Sequence, residues 1–160
     1  MPSITAILHT TNDSAVLGRA LESLRPCDEI LVVDHGSSDT TLRLAREYGA
    51  RIREAMPEML QSDHLSLARH DWIFCLLPSE SLTEDLEASL FEWKLLPESQ
   101  ALSNPAYSTI LREEISQGWR EGPPSTRLVP RNWKQWDGNL PRHGANAVLL
   151  EGDLLRFRLP

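Results

Sequence analysis

Between Ile4 and Arg53 the chain switches twice from a short apolar run to a helical periodicity and back, and this alternation constrains the fold more than any other feature. Ile4-Thr5-Ala6-Ile7-Leu8 has strand length, and Asn12-Asp13-Ser14 supplies a helix start, after which Val16, Ala20, Leu21 and Leu24 fall on one face until Arg25-Pro26. Glu29-Ile30-Leu31-Val32-Val33-Asp34 is rich in β-branched residues and continuously apolar at its centre, as a strand covered on both faces must be. Gly36-Ser37-Ser38-Asp39 breaks that strand and caps a second helix, with Thr41, Leu44, Ala45 and Tyr48 facing inward and Gly49 at its stop. Ala50 to Arg53 reads as a third strand. Strands and helices joined this closely predict a parallel sheet with right-handed crossovers.

The same reasoning predicts a helix over residues 58–70 with Leu60, His64, Leu67 and Ala68 inward, then a buried strand from Trp72 to Leu77. Ser81-Leu82-Thr83-Glu84 has the form of a capping box ahead of Leu86, Leu90 and Trp93 at helical spacing. Beyond Leu96 the texture changes: seven of the eleven prolines and three of the five tryptophans lie there, around strand-like pieces at Tyr107 to Leu111, Arg127 to Pro130 and Ala147 to Leu150. No linker composition separates the halves, so residues 1–160 read as one α/β domain. Its residues 1–96 form a mostly parallel sheet flanked by helices, and its residues 97–160 add irregular, antiparallel pieces.

Sixteen Lys and Arg against twenty-three Asp and Glu give a net charge of −7, which excludes a general nucleic-acid binder with a basic surface. Cys27 and Cys75 are too far apart for a C-x-x-C redox or zinc motif and read as reduced thiols. The N-terminus lacks the pattern of a secretion signal, and the longest apolar run, Trp72 to Leu77, is too short to span a bilayer, so a cytoplasmic location is expected.

Ligands of an open parallel sheet bind beyond the carboxyl ends of its strands. Two segments reach that edge: His9-Thr10-Thr11-Asn12 and Asp34-His35-Gly36-Ser37-Ser38-Asp39. A carboxylate at the end of a strand, as at Asp34, suits hydrogen bonding to ribose hydroxyls or a base N–H. Ser37 and Ser38 present themselves at a helix N-terminus, and Asp39 reads as a favourable first-turn charge. The P-loop, G-x-G-x-x-G, G-x-S-x-G and H-E-x-x-H patterns are absent, and the five histidines, scattered in sequence, read as surface or core-edge residues.

Taken together, Ser3 to Glu54 resembles the start of a family 2 glycosyltransferase with the GT-A (Rossmann-like) fold, closest to the group related to lipopolysaccharide-core glucosyltransferases. The matching pieces are the strand Ile4 to Leu8, the Thr11-Asn12 turn, the helix ending near Ser23-Leu24, Asp28 to Asp34, Gly36-Ser37-Ser38-Asp39-Thr40-Thr41, and Ala45 to Ala50. The resemblance implies a nucleotide-sugar partner, a UDP-sugar first, held by Thr10, Thr11, Asp34 and Ser37, and a sugar transfer to a hydroxyl acceptor in envelope polysaccharide or glycolipid synthesis. The family continues from a strand such as Asp71 to Leu76 into a D-x-D-E segment that holds Mg²⁺ or Mn²⁺ on the diphosphate. Here the residues are Leu77-Pro78-Ser79-Glu80, so the metal ligands are expected to be missing, no cofactor is expected, and Glu80 reads as a solvated residue. Arg127-Leu128-Val129-Pro130-Arg131 and Trp136-Asp137-Gly138 resemble the family's later motifs, but Leu140-Pro141-Arg142 stands where an acidic general base is expected, with Asp137 and His143 nearby. Related enzymes carry more helices beyond this point, so the length reads as a fold trimmed at its acceptor end.

Between Trp119 and Ala145, Arg120, Arg127, Arg131, Lys134 and Arg142 against Glu121 and Asp137 give a local excess of three positive charges. This segment reads either as a face paired with acidic surface or as a counter-charge in which Arg127 and Arg131 contact the diphosphate in place of a metal. The catalytic residues stay unassigned. A non-catalytic nucleotide-binding or protein-interaction module, a pseudoenzyme, is the alternative to an active transferase.

Overall fold

The computed structural model of the chain describes residues 1–58 and 61–159. Its first strand, β1 (Ile4–Thr10), is buried along its whole length. β2 (Glu29–Asp34), β3 (Arg51–Glu54) and β4 (Trp72–Cys75) join it in parallel in the order β3-β2-β1-β4, with Thr10 beside Asp34 and Ile4 beside Trp72. Alternation of side chains divides the core between two faces. Ile4, Ala6, Leu8 and Val32 point to one, where α1 (Leu17–Glu22) and α2 (Thr41–Glu47) bring Leu17, Ala20, Leu21 and Ala45. Ile7, Leu31, Val33 and Ile73 point to the other, against Leu65 of α3 (Gln61–Leu65) and the following Ala68.

After β4, β5 (Glu80–Leu82) leads into α4 (Glu84–Lys94), whose Leu86, Leu90 and Trp93 complete the first face, and then into α5 (Glu98–Ala101). Trp72, Trp93 and Tyr107 meet edge-on at centroid separations of 5.0 to 5.9 Å, and the Tyr107 hydroxyl donates to the Ala101 carbonyl at 3.0 Å. β6 (Tyr107–Ile115) and β7 (Gly118–Pro130) form a long hairpin, followed by the two-residue strands β8 (Trp136–Asp137) and β9 (Leu140–Pro141) and by β10 (Val148–Arg156). The sheet thus runs β3-β2-β1-β4-β7-β6-β10-β5, with antiparallel pairings at β4/β7, β6/β7 and β10/β5 and a parallel one at β6/β10. β5 is the far edge of this sheet, yet residues 76–79 alone connect it to β4. The second half therefore curls until its last strand returns to the carboxyl end of β4.

The expected α/β architecture, a mostly parallel half with antiparallel additions in the last third, is the one observed, while several element boundaries differ. The helix expected over 58–70 is described only as Gln61–Leu65, and Leu60 lies outside the described residues. The strand expected to run to Leu77 ends at Cys75, because Glu80 N–H donates to the Leu77 carbonyl in a turn. Ser81 does not open a capping box: it lies in β5, and Thr83 is the N-cap of α4, accepting from Leu86 N–H at 3.3 Å. Tyr48, expected to face inward, is 40% exposed.

Candidate functional site

The carboxyl ends of β1 and β2 carry two loops whose side chains are bonded to each other. Register places Thr10 next to Asp34. Beyond them the chain reverses through Asn12, a non-glycine residue at φ 53°, a left-handed conformation that Asn tolerates better than most residues. The Asn12 side-chain oxygen accepts from Ser38 N–H at 2.7 Å and Asp39 N–H at 3.2 Å, while Asn12 N–H donates to Ser37 Oγ at 2.9 Å. Asp13 receives the Thr10 hydroxyl at 2.6 Å and Thr11 N–H at 3.0 Å, and its own N–H donates to Thr41 Oγ1 at 3.0 Å. Asn12 and Asp13 therefore do not cap α1 with their side chains; they tie the β1 loop to the β2 loop.

Asp34 is 4% exposed. Its Oδ2 accepts Gly36 N–H at 3.2 Å and Ser37 N–H at 3.1 Å, and its Oδ1 accepts the Ser37 hydroxyl at 2.5 Å. Ser37 and Ser38 are not at a helix N-terminus, since α2 begins at Thr41. Asp39 is not a first-turn charge either: it lies two residues before α2, accepts Thr41 N–H at 2.9 Å and the Thr41 hydroxyl, and receives Ser14 N–H at 3.4 Å. These hydrogen bonds, the Thr41 hydroxyl foremost, hold its carboxyl down at about 2. Thr10, Thr11, Asp34 and Ser37 are thus gathered at one edge, with Ser37 bonded to Asp34 and Thr10 and Thr11 bonded to Asp13 before any ligand arrives.

Three of the histidines also meet at this edge, which their spacing in sequence did not suggest. His9 Nδ1 and His35 Nε2 are 2.9 Å apart and share a hydrogen bond, and the His64 ring stands edge-on to His9 at 5.2 Å between centroids. His9 and His64 are buried, and neither ring nitrogen of His64 has a hydrogen-bond partner. Burial first, and then the neighbouring His64 and His35, lower His9 to about 4. Burial and His35 likewise lower His64.

Past β4 the arrangement is closed rather than open. Glu80 is a buried residue, not a solvated one, and pairs bidentately with Arg127: Oε1 accepts Nη1 at 2.6 Å and Oε2 accepts Nη2 at 2.8 Å. Arg127 is 3% exposed and also donates to Ser125 Oγ and the Cys75 carbonyl, so it is not available to meet a diphosphate. Arg131 is placed at the opposite edge of the sheet. Its N–H donates to the Asp71 carbonyl, just ahead of β4, and its guanidinium to the Ala68 carbonyl at 2.7 Å. β1 spans seven residues, so about 20 Å separates that edge from Asp34. A cleft of about 820 Å³ lies there, lined by Ser3, Arg69, Trp72, Arg131, Trp133 and Lys134 among others, and it too is remote from the β1 and β2 loops.

The arginines of the basic segment pair with carboxylates: Arg120 with Glu113, Arg127 with Glu80, Arg131 with Asp71 and Arg142 with Asp137. Trp133 and Trp136 pack on the second core, and Trp119 packs edge-on to Phe157. Asp137, in its pair with Arg142, is largely exposed, and His143 Nδ1 lies 3.3 Å from Thr126 Oγ1. No helix among the described residues is long and apolar enough to cross a membrane.

Comparison with known proteins agrees with this architecture. An uncharacterized glycosyltransferase of Rickettsia felis is 32% identical over 91 residues, which cover 54% of this chain and 32% of the relative. The lipopolysaccharide core biosynthesis glycosyltransferase LpsC of Rhizobium meliloti is 42% identical over 45 residues, covering 28% and 17%. The chain spans about a third of the length of the first of these relatives. No protein-family model matches. Among solved structures, glucosyl-3-phosphoglycerate synthase from Mycobacterium tuberculosis in complex with Mn²⁺, UDP and phosphoglyceric acid superposes with a TM-score of 0.51 at 20% identity, covering 72% of this chain and 45% of that one. A mycobacterial protein superposes with a TM-score of 0.50 at 19% identity, covering 71% and 41%. The chain is glycosyltransferase-like in sequence and GT-A-like in fold.

Proposed function

We propose that this chain binds a nucleotide-sugar, a UDP-sugar first, at the carboxyl edge of β1 and β2 and serves a sugar transfer to a hydroxyl acceptor in envelope polysaccharide or glycolipid assembly. The observation that carries this reading is the cross-bonded pair of loops around Asp34. An ionised carboxylate oxygen accepts about two hydrogen bonds; Asp34 Oδ2 receives two and Oδ1 one, which leaves Oδ1 an acceptor position for a ribose hydroxyl or a base N–H. The loops are already ordered by their own hydrogen bonds, so a nucleoside would meet a preformed edge and the ordering cost of binding would be small. The choice of UDP is supported by the mycobacterial synthase, solved with UDP.

The test is thermal denaturation with UDP, UDP-glucose and a GDP-sugar. A ligand at one hundred times its Kd adds about 2.7 kcal/mol of stability, which for a chain of this size raises Tm by roughly 5 to 10 °C. Such a rise with UDP and UDP-glucose is expected, and its loss in Asp34→Ala; no rise with any of the three would overturn the proposal. A non-catalytic nucleotide-binding module is the second reading, favoured by the locked Glu80 and by the Asp137–Arg142 pair where an acidic base is expected. Binding of UDP-glucose with no release of UDP, with or without hydroxyl acceptors, would select it.

A further inference from the structure

We infer that ligand binding at this edge proceeds without a divalent cation, because the position such an ion would take beyond β4 is closed by the Glu80–Arg127 pair. The inference deepens the nucleotide reading above and rests on it for the ligand, though not for the state of Glu80. A resemblance to family 2 glycosyltransferases implies Mg²⁺ or Mn²⁺ held by carboxylates after β4, and Glu80 is the acidic residue that the chain offers there. These ions need carboxylate lone pairs on one side and open positions for phosphate oxygens or water on the other. Glu80 supplies neither. Its side chain is 0% exposed. Its Oε1 receives both Arg127 Nη1 at 2.6 Å and Leu77 N–H at 2.8 Å, its Oε2 receives Arg127 Nη2 at 2.8 Å, and Arg156 Nη2 stands 3.6 Å from Oε2.

A dication would have to break a bidentate pair and then sit beside two guanidiniums of its own sign. Neither guanidinium can readily turn away. Arg127 is fixed by Ser125 Oγ at 2.9 Å and the Cys75 carbonyl at 3.3 Å, and Arg156 by Glu113 at 2.9 Å. Among the described residues no group of three or more His, Cys, Asp or Glu is placed to hold a metal ion.

Two measurements on the unaltered chain decide the matter. UDP binding by calorimetry is expected to give the same Kd, within about twofold, in EDTA and in MnCl₂; affinity tighter by about tenfold or more with Mn²⁺ would overturn the inference. In amide-resolved NMR, equimolar Mn²⁺ is expected to leave the Leu77, Glu80 and Ser81 resonances unbroadened, and selective broadening of those three would overturn it as well. Should UDP fail to bind in both buffers, the nucleotide reading falls, and the Mn²⁺ spectrum alone then decides whether Glu80 holds an ion.

Discussion

Arg127 shows how far the burial of a single side chain changes what its charge can do. In water an arginine beside an acceptor cleft is a ready anion ligand, but at 3% exposure its guanidinium faces Glu80, and the pair stands or falls together. Breaking a buried ion pair from one side leaves an uncompensated charge and costs about 3–5 kcal/mol, whereas replacing both partners by apolar groups of similar volume is often neutral. Arg127→Met is therefore expected to lose about 3 kcal/mol or somewhat less, because Arg156 remains 3.6 Å from Glu80. Glu80→Leu/Arg127→Met is expected to recover most of that loss. Urea unfolding of the two variants checks this, and equal losses would show that the pair is not coupled. Asp34 presents a different balance, since its partners are backbone N–H groups of its own loop. Asp34→Ala strands Gly36 N–H and Ser37 N–H, for a cost of about 1–3 kcal/mol. Faster hydrogen exchange at those two amides should accompany the lost response to UDP.

At the scale of elements, a close joint between β10 and the start of α4 ties the second half of the sheet to the helical layer. The pairing of β10 with β6 shifts register between Leu149 and Asp153, and Gly152, at φ +94°, lies in that interruption. A Cβ built there would stand 2.2 Å from Leu86 N and 2.6 Å from Leu86 Cα, so the N-terminus of α4 approaches the strand more closely than any side chain permits. Thr83 completes the joint: its hydroxyl donates to the Asp153 carbonyl at 2.8 Å while accepting from Asp153 N–H and Leu86 N–H. Gly152→Ala is expected to cost about 3 kcal/mol or more, since backbone on both sides would have to move, and Thr83→Ala about 1 kcal/mol. Thermal unfolding ranks the two, and a smaller loss for Gly152→Ala would refute the close approach.

The sequence does not make Gly152 conspicuous and places Thr83 inside a capping box opened two residues early, and the reasons are physical. β1 to β3 are legible because parallel strands buried on both faces need unbroken apolar runs. Of β7 only Arg127 to Pro130 is legible, because Pro123-Pro124 interrupts the pattern ahead of it. The prolines are tolerated because β4 pairs only with Leu128 to Pro130, which leaves that stretch of β7 without a neighbour on one side, and because its pairing with β6 on the other side shifts register there, between Ile110 and Arg112. The same limit governs Glu80, whose solvated appearance beside a helix start depends on not knowing that the sheet curls back upon it.

For the molecule as a whole, topology assembles what sequence disperses. His9, His35 and His64 are separated by 26 and 29 residues, and parallel pairing of β1 with β2 together with α3 packed over that face brings their rings together. Burial, His64 and His35 lower His9, and burial and His35 lower His64, against which Asp63 favours the charged form. The folded chain thus resists a proton that the unfolded chain accepts near pH 6.5. Because the folded affinity is depressed, the unfolded state binds more protons between pH 6.5 and about 4, so stability is complete above that window and declines as the pH falls through it. For His9 alone the loss reaches about 2 kcal/mol by pH 5, and His64 adds in the same direction. The hydrogen-bonded carboxyl of Asp39 titrates at lower pH, while the Glu87 carboxyl, raised by its burial, opposes the histidines at the acid end of the interval. Urea midpoints measured from pH 7.5 to 5 are therefore expected to fall steeply in the unaltered chain and less steeply in His9→Asn, whose side chain keeps a polar group near His35 but takes up no proton. Parallel slopes in the two proteins would mean that the histidine cluster does not set the acid limit of the fold.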